Sequence, residues 1–158
     1  MSDASDVRPN VRWAWPVTLP ICVLGLADAV YLTIAHYNTH VTLACSDTGH
    51  VNCLKVTTSS QSEIFGHIPV ALTGLIYYVV MFALCTPWAW NARNEWIHRA
   101  RLAGAFAGMG MVVYLVFVEA VQLKAICLYC TGVHILTFLL FLAILAAYLL
   151  RPIDVSKS

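Results

Sequence analysis

The residues able to do redox chemistry here are cysteines. They stand at Cys22, Cys45, Cys53, Cys85, Cys127 and Cys130. Cys127-Leu128-Tyr129-Cys130 is a C-x-x-C pair, and Cys45 and Cys53 form a second close pair in a long loop. A thiolate is the nucleophile of thiol–disulfide exchange, so two pairs on the oxidising side of one membrane form a relay for electrons. C-x-x-C alone is a common pattern, and the second dithiol is what gives it weight. A structural staple explains Cys45 and Cys53 but leaves Cys127 and Cys130 without a role. A zinc site on Cys45, His50 and Cys53 lacks a fourth ligand for closed coordination, so no metal is expected. Cys22 and Cys85 lie in apolar runs and read as small buried fillers.

The C-x-x-C pair continues into a stripe. Cys127, Cys130, Thr131 and His134 are spaced i, i+3, i+4 and i+7, which puts them on one helical face, with Thr137 three residues further. His134 falls about 6 Å deeper than Cys130 at 1.5 Å per residue. An ionisable side chain at that depth costs free energy and points to function. The bland account is a histidine bonded to a neighbouring helix. The sharper one is a donor to the carbonyl of a lipid-soluble quinone beside Cys130. The unpaired N–H groups and positive dipole end at this helix start favour thiolates at both cysteines. Attack by Cys130 on a quinone ring would be resolved by Cys127 as a Cys127–Cys130 disulfide.

These residues need a scaffold, and the composition says which kind. Of the 158 residues, 60% are hydrophobic and 11% charged, where soluble domains carry about 25% charged residues. The mean hydropathy is +0.76. This excludes a disordered chain, a nucleic-acid binder and an ordinary soluble enzyme. Apolar runs at about 14–37, 67–88, 100–121 and 126–150 are each long enough to cross a bilayer. A crossing segment must satisfy its own backbone, so all four are expected to be helices. The expected organisation is an all-α, integral membrane four-helix bundle. A tail at 1–13 precedes a single membrane domain at 14–150, an outer loop spans 38–66, and a second tail covers 151–158. Trp13, Trp15, Trp88, Trp90 and Trp96 fall at span edges, as in an interfacial aromatic belt. Segment 54–66 mixes Val56, Ile64 and Phe65 with hydroxyl residues, which suits a short amphipathic piece over the bundle mouth, with Ser59 and Ser60 facing the site.

Lys and Arg set the orientation. Arg8, Arg12, Arg93, Arg99, Arg101, Arg151 and Lys157 flank one side, and Lys55 and Lys124 the other, seven against two. Both termini are therefore expected in the cytoplasm and the four chemistry-bearing cysteines outside it. Ala27-Asp28-Ala29 resembles a signal cleavage site, but the apolar run continues to Tyr37, so the first span is expected to stay attached.

Taken with this topology, the sequence resembles the vitamin K epoxide reductase family in its bacterial form, without a fused thioredoxin-like domain. The residues that carry the resemblance are Cys45-x7-Cys53, Ser59, Gly66-x2-Pro69, Gly74-x3-Tyr78 and Cys127-x2-Cys130, with Gly25-Leu26 and Tyr31 in the first span. It covers roughly residues 14–150.

The resemblance implies a four-helix bundle that encloses a quinone of the menaquinone, ubiquinone or vitamin K type and is capped by the first outer loop. It implies a shuttle pair, Cys45 and Cys53, and an active-site pair, Cys127 and Cys130. Ser59 and His134 would contact the quinone; animal members carry a tyrosine at the His134 position. Electrons would arrive from a separate thioredoxin-fold (DsbA-like) protein, in support of disulfide formation at a bacterial inner membrane. The alternatives are an animal-type vitamin K quinone or epoxide reductase, and a non-catalytic tetraspan protein with a structural loop disulfide. A four-helix quinone-linked thiol oxidase of the DsbB type is a further relative in chemistry, disfavoured by the Cys53 to Pro69 motif.

Overall fold

A computed structural model of the chain describes residues 13–38, 53, 63–64, 68–92 and 94–150. Helix α1 spans Ala14–Tyr37. Two-residue strands β1 (Glu63–Ile64) and β2 (Ile68–Pro69) pair antiparallel, with Ile64 opposite Ile68. They lead into α2 (Val70–Leu84) and the short α3 (Pro87–Asn91). Helix α4 (Glu95–Phe117) runs on into a π-helical turn, Val118–Leu123, and α5 covers Leu128–Leu149. Helix α1 packs against α2 and α5, and α4 closes the arrangement by packing on both α5 and α2.

Helix α1, α4 with its π-helical turn, and α5 are long and apolar enough to cross a membrane. This fits a multi-pass membrane protein. Large apolar side chains such as Val23, Leu24, Ile76, Val79, Val113 and Leu139 stand exposed. In water such a surface would drive association; against lipid tails it is at home.

Helix α2 is shorter than the 67–88 run that hydropathy suggests. Its 15 residues cover about 22 Å, less than the hydrocarbon core of about 30 Å. Two prolines set the limits. Pro69 stands at the helix start, and Pro87 forces Thr86 into an extended conformation with ψ of 153°. The chain then turns into α3, where Thr86 accepts the Ala89 N–H.

Helix α4 begins under ordinary capping, with Asn94 Oδ1 accepting the Trp96 N–H at 3.0 Å. Its glycines let α2 approach closely. A side chain at Gly108 would strike the Tyr77 ring, and one at Gly104 would meet Met81. On α1, Gly25 leaves room for the Tyr78 ring. The Tyr78 hydroxyl then reaches Thr137 Oγ1 at 2.8 Å and donates to the Val133 carbonyl at 3.2 Å. One tyrosine thus ties α1, α2 and α5 together. The core below it contains Cys22, Met81, Cys85, Ala105, Leu140 and Ile144. Cys22 and Cys85 are fully buried there, thiol to thiol.

Candidate functional site: a sulfur-capped helix start over an apolar cavity

Helix α5 starts with unpaired backbone N–H groups, as every helix does. Sulfur atoms satisfy two of them. Cys127, in extended conformation just before the helix, accepts the Cys130 N–H on its Sγ at 3.3 Å. Cys53 Sγ accepts the Leu128 N–H, also at 3.3 Å. Cys53 is disulfide-bonded, whereas Cys127 and Cys130 are free thiols. Cys53, Ala125 and Cys127 form one buried cluster against Leu123, Tyr129 and Cys130.

The two cysteines of the C-x-x-C pair are not equivalent. The Cys130 thiol donates to the Cys127 sulfur, and this bond holds the Cys127 thiol below its ordinary range. The N–H groups of Cys130 and Tyr129 add to the effect, against the opposing pull of burial. Thiolate character therefore collects on Cys127, not equally on both as the helix start alone suggests. Cys130 also lines a cavity.

That cavity has a volume of about 310 Å3 and lies between α1, α2, α4, the π-helical turn and α5. Pockets that hold small organic ligands are mostly apolar with a few placed polar groups and begin near 300 Å3. Here the walls are residues such as Ala29, Leu32, Val70, Met111, Val112 and Leu115. The polar groups among them are Cys130, His134, Thr137, Tyr77, His36, Thr73 and Glu119.

His134 is 8% exposed, on the cavity wall one turn from Cys130. Among the described residues no hydrogen bond ties its ring to another helix, so the imidazole is available to the cavity. The stripe divides: Cys130, His134 and Thr137 line the cavity, while Cys127 and Thr131 do not. Thr131 instead donates to the Cys127 carbonyl at 2.9 Å. Cys45 and Ser59, with the rest of the outer loop except Cys53 and Glu63–Ile64, lie outside the described residues.

Four polar cavity residues, His36, Thr73, Tyr77 and Glu119, escaped the reading of the sequence. Tyr77 was hidden among apolar positions of α2. Its hydroxyl is buried and, among the described residues, without a hydrogen-bond partner. Glu119 is an acidic residue near the end of an apolar run, and such a residue inside a span is itself a functional signal. Its side chain is 8% exposed.

The family model for the vitamin K epoxide reductase family matches residues 16–145, most of the chain. The chain belongs to the vitamin K epoxide reductase family. As a member it is an oxidoreductase in kind, with a membrane redox function of the quinone-reductase type in the broad sense. Comparison with individually curated proteins gives no match.

A quinone head group is a flat ring with two carbonyl acceptors, and the cavity fits it. The walls are apolar, and the Tyr77 hydroxyl and the His134 ring are donors without protein partners among the described residues.

Proposed function

We propose that this protein is a membrane thiol oxidase. It takes electrons from a reduced thioredoxin-fold partner at Cys45 and Cys53, passes them to Cys127 and Cys130, and delivers them to a quinone. The observation that carries this reading is the double contact at the start of α5. Cys53 sulfur sits on the Leu128 N–H and in one cluster with Cys127, while Cys130, bonded to Cys127, lines the cavity. Sulfur chemistry is thereby linked from the loop to the bundle interior without a gap.

In this scheme Cys45 is the disulfide partner of Cys53. Cys53 of the reduced shuttle pair gives up its proton and attacks Cys127 as a thiolate, and the displaced Cys130 sulfur takes up that proton. Cys45 then attacks Cys53, closing the shuttle disulfide and leaving Cys127 as a thiolate. When bound, a quinone supplies a two-electron, two-proton acceptor. Cys130 meets it at the wall, Cys127 closes the disulfide, and His134, Tyr77 and Ser59 hold its oxygens. A purely structural tetraspan protein would have no use for a thiol pair that abuts a disulfide on one side and a cavity on the other.

The test is anaerobic mixing of the purified protein with a reduced thioredoxin-fold protein and a short-chain quinone, while quinone absorbance is followed. Quinone reduction is expected, abolished by Cys53→Ala or Cys130→Ala. Removing a single charge-stabilising donor costs on the order of 10²–10³ in rate where it acts alone. His134→Leu is expected to slow the quinone half-reaction by less than this, because Tyr77 shares the role, and to leave exchange with the partner unchanged. His134→Tyr is expected to recover part of the rate. A wild-type protein that exchanges thiols but never reduces quinone would overturn the assignment.

A further inference from the structure

We propose that Glu119 is the proton store of the Cys127/Cys130 pair, an inference that rests on the redox reading above. The reduced site holds its two protons in two places. One lies on Cys130 and is directed at the Cys127 sulfur, and the other sits on the Glu119 carboxyl.

Position is the first argument. Glu119 lies on the π-helical turn Val118–Leu123. Such turns interrupt the regular ladder and recur at functional sites. The chain then reverses through Lys124, whose φ of 49° and ψ of 36° are left-handed, and the Ala125 N–H returns to the Glu119 carbonyl at 3.3 Å. This reversal brings Cys127 back over the carboxyl, and the Cys127 backbone N–H is directed at it. Glu119 is therefore next to the sulfur pair and also on the cavity wall with Cys130 and His134.

Isolation is the second argument. A buried carboxylate that serves structure is paired with a cation, because an unpaired one is costly. Among the described residues no Lys or Arg is paired with Glu119; the Arg99–Glu95 ion pair is exposed at the opposite end of α4, and the titratable rings on the same cavity wall are His36 and His134. A carboxyl kept alone at this place has a use for its proton.

The proton count is the third argument. Oxidation of the pair breaks the Cys130 S–H bond, forms the S–S bond and sends two electrons to the acceptor, a quinone. The acceptor also takes two protons. Cys130 supplies one. In this scheme Cys127, whose thiol is held below its ordinary range by the Cys130 thiol, is the thiolate and has none to give. Glu119 supplies the second and is left as a carboxylate beside the Cys127 N–H. When Cys45 and Cys53 next reduce the pair, their two thiol protons restore Cys130 as a thiol and Glu119 as a carboxylic acid. Charge and protons balance in both half-reactions, and no outside base is needed.

The first experiment needs no quinone. Infrared difference spectra are recorded between the dithiol form and the chemically oxidised disulfide form of the purified, full-length protein. A protonated-carboxyl band is expected in the reduced form, lost on oxidation, and absent in Glu119→Gln. The second is stopped-flow oxidation of the reduced protein by a short-chain quinone. General acid catalysis contributes about 10²–10⁴, so Glu119→Gln is expected to slow this step by on the order of 10²-fold, with Glu119→Asp recovering part. A wild-type helical circular-dichroism spectrum and unfolding midpoint in detergent report that the variants are folded. An unchanged carboxyl spectrum in the wild type, or a band that survives Glu119→Gln, would overturn the proposal even if quinone is reduced. A wild type that shows the band but reduces no quinone would instead overturn the redox reading on which it rests.

Discussion

Cys127 is fully buried, yet its surroundings favour the charged form of its thiol. The leading cause is the thiol of Cys130, a donor three residues on. The sequence shows the i, i+3 spacing and the helix start, and both point to activated sulfur. They do not show which cysteine donates to which, because that depends on the rotamers chosen once Cys53 and Ala125 pack against Cys127. The consequence for pH follows from the sign of the shift. A lowered value means that thiolate forms at a lower pH than in an ordinary cysteine, and is lost as pH falls through that value. Ultraviolet thiolate absorbance of the reduced protein, with Cys127→Ala as the blank, is expected to rise below the usual thiol range. Cys130→Ala removes the leading cause and is expected to move that rise to higher pH. An identical titration in both proteins would mean that the Cys130 thiol does not set the Cys127 charge.

Helices carry the site, and their joints decide where it falls. Apolar run lengths made α1, α4 and α5 legible in the sequence, since a buried or lipid-facing helix needs little besides continuous hydrophobicity. The same measure overextended α2, where Pro69 and Pro87 act locally through backbone geometry that hydropathy ignores. The π-helical turn was not legible at all. One extra residue per turn changes the phase of the face, and no side-chain pattern announces it. Glu119 lies inside the 100–121 apolar run, where the hydrophobicity of its neighbours hides it. Gly25 was noticed as part of a motif, and its physical reason is the Tyr78 ring. A methyl group at this position must displace an aromatic ring whose hydroxyl is held by Thr137 and the Val133 carbonyl. Overpacking of this kind costs about 1–3 kcal/mol. Gly25→Ala is expected to lower the unfolding midpoint in detergent. In Gly25→Ala/Tyr78→Phe, where the ring has lost its anchors, the glycine substitution is expected to cost less. Equal losses in both backgrounds would show that the ring and the glycine are not coupled.

On the scale of the whole molecule the two ends of the bundle differ in chemistry. Cys53, Cys127, Cys130, Glu119 and the cavity lie toward the end where α5 begins. The opposite end, where α1 and α4 begin and α2 finishes, gathers tryptophan and arginine. Trp88 and Trp96 are exposed there, while Trp90 lies under the Arg101 guanidinium at 3.6 Å from its ring centroid. Arg101 is 2% exposed and donates two hydrogen bonds to the Leu84 carbonyl, at 2.8 and 2.7 Å. It therefore caps α2, a cation at a helix C-terminus where the dipole favours it. Arg101 is thus a structural cation as well as a topological signal, and the other six cations on its side still outnumber the two on the cysteine side. Helix α1 contributes Gly25 and Cys22 to contacts with Tyr78 and Cys85, and Asp28 approaches Gly132 on α5. Cleavage after Ala29 would remove all three contacts and one wall of the bundle. The first span is therefore expected to remain attached, with both termini in the cytoplasm and the cysteine end outside it. Sequencing of the membrane-extracted protein is expected to find no new N-terminus at Val30. A phosphatase reporter active only outside the cytoplasm is expected to work when inserted in the 38–66 loop and to be silent when fused after residue 150. Activity at both places would mean an even number of crossings between them, and the four-span topology would have to be abandoned.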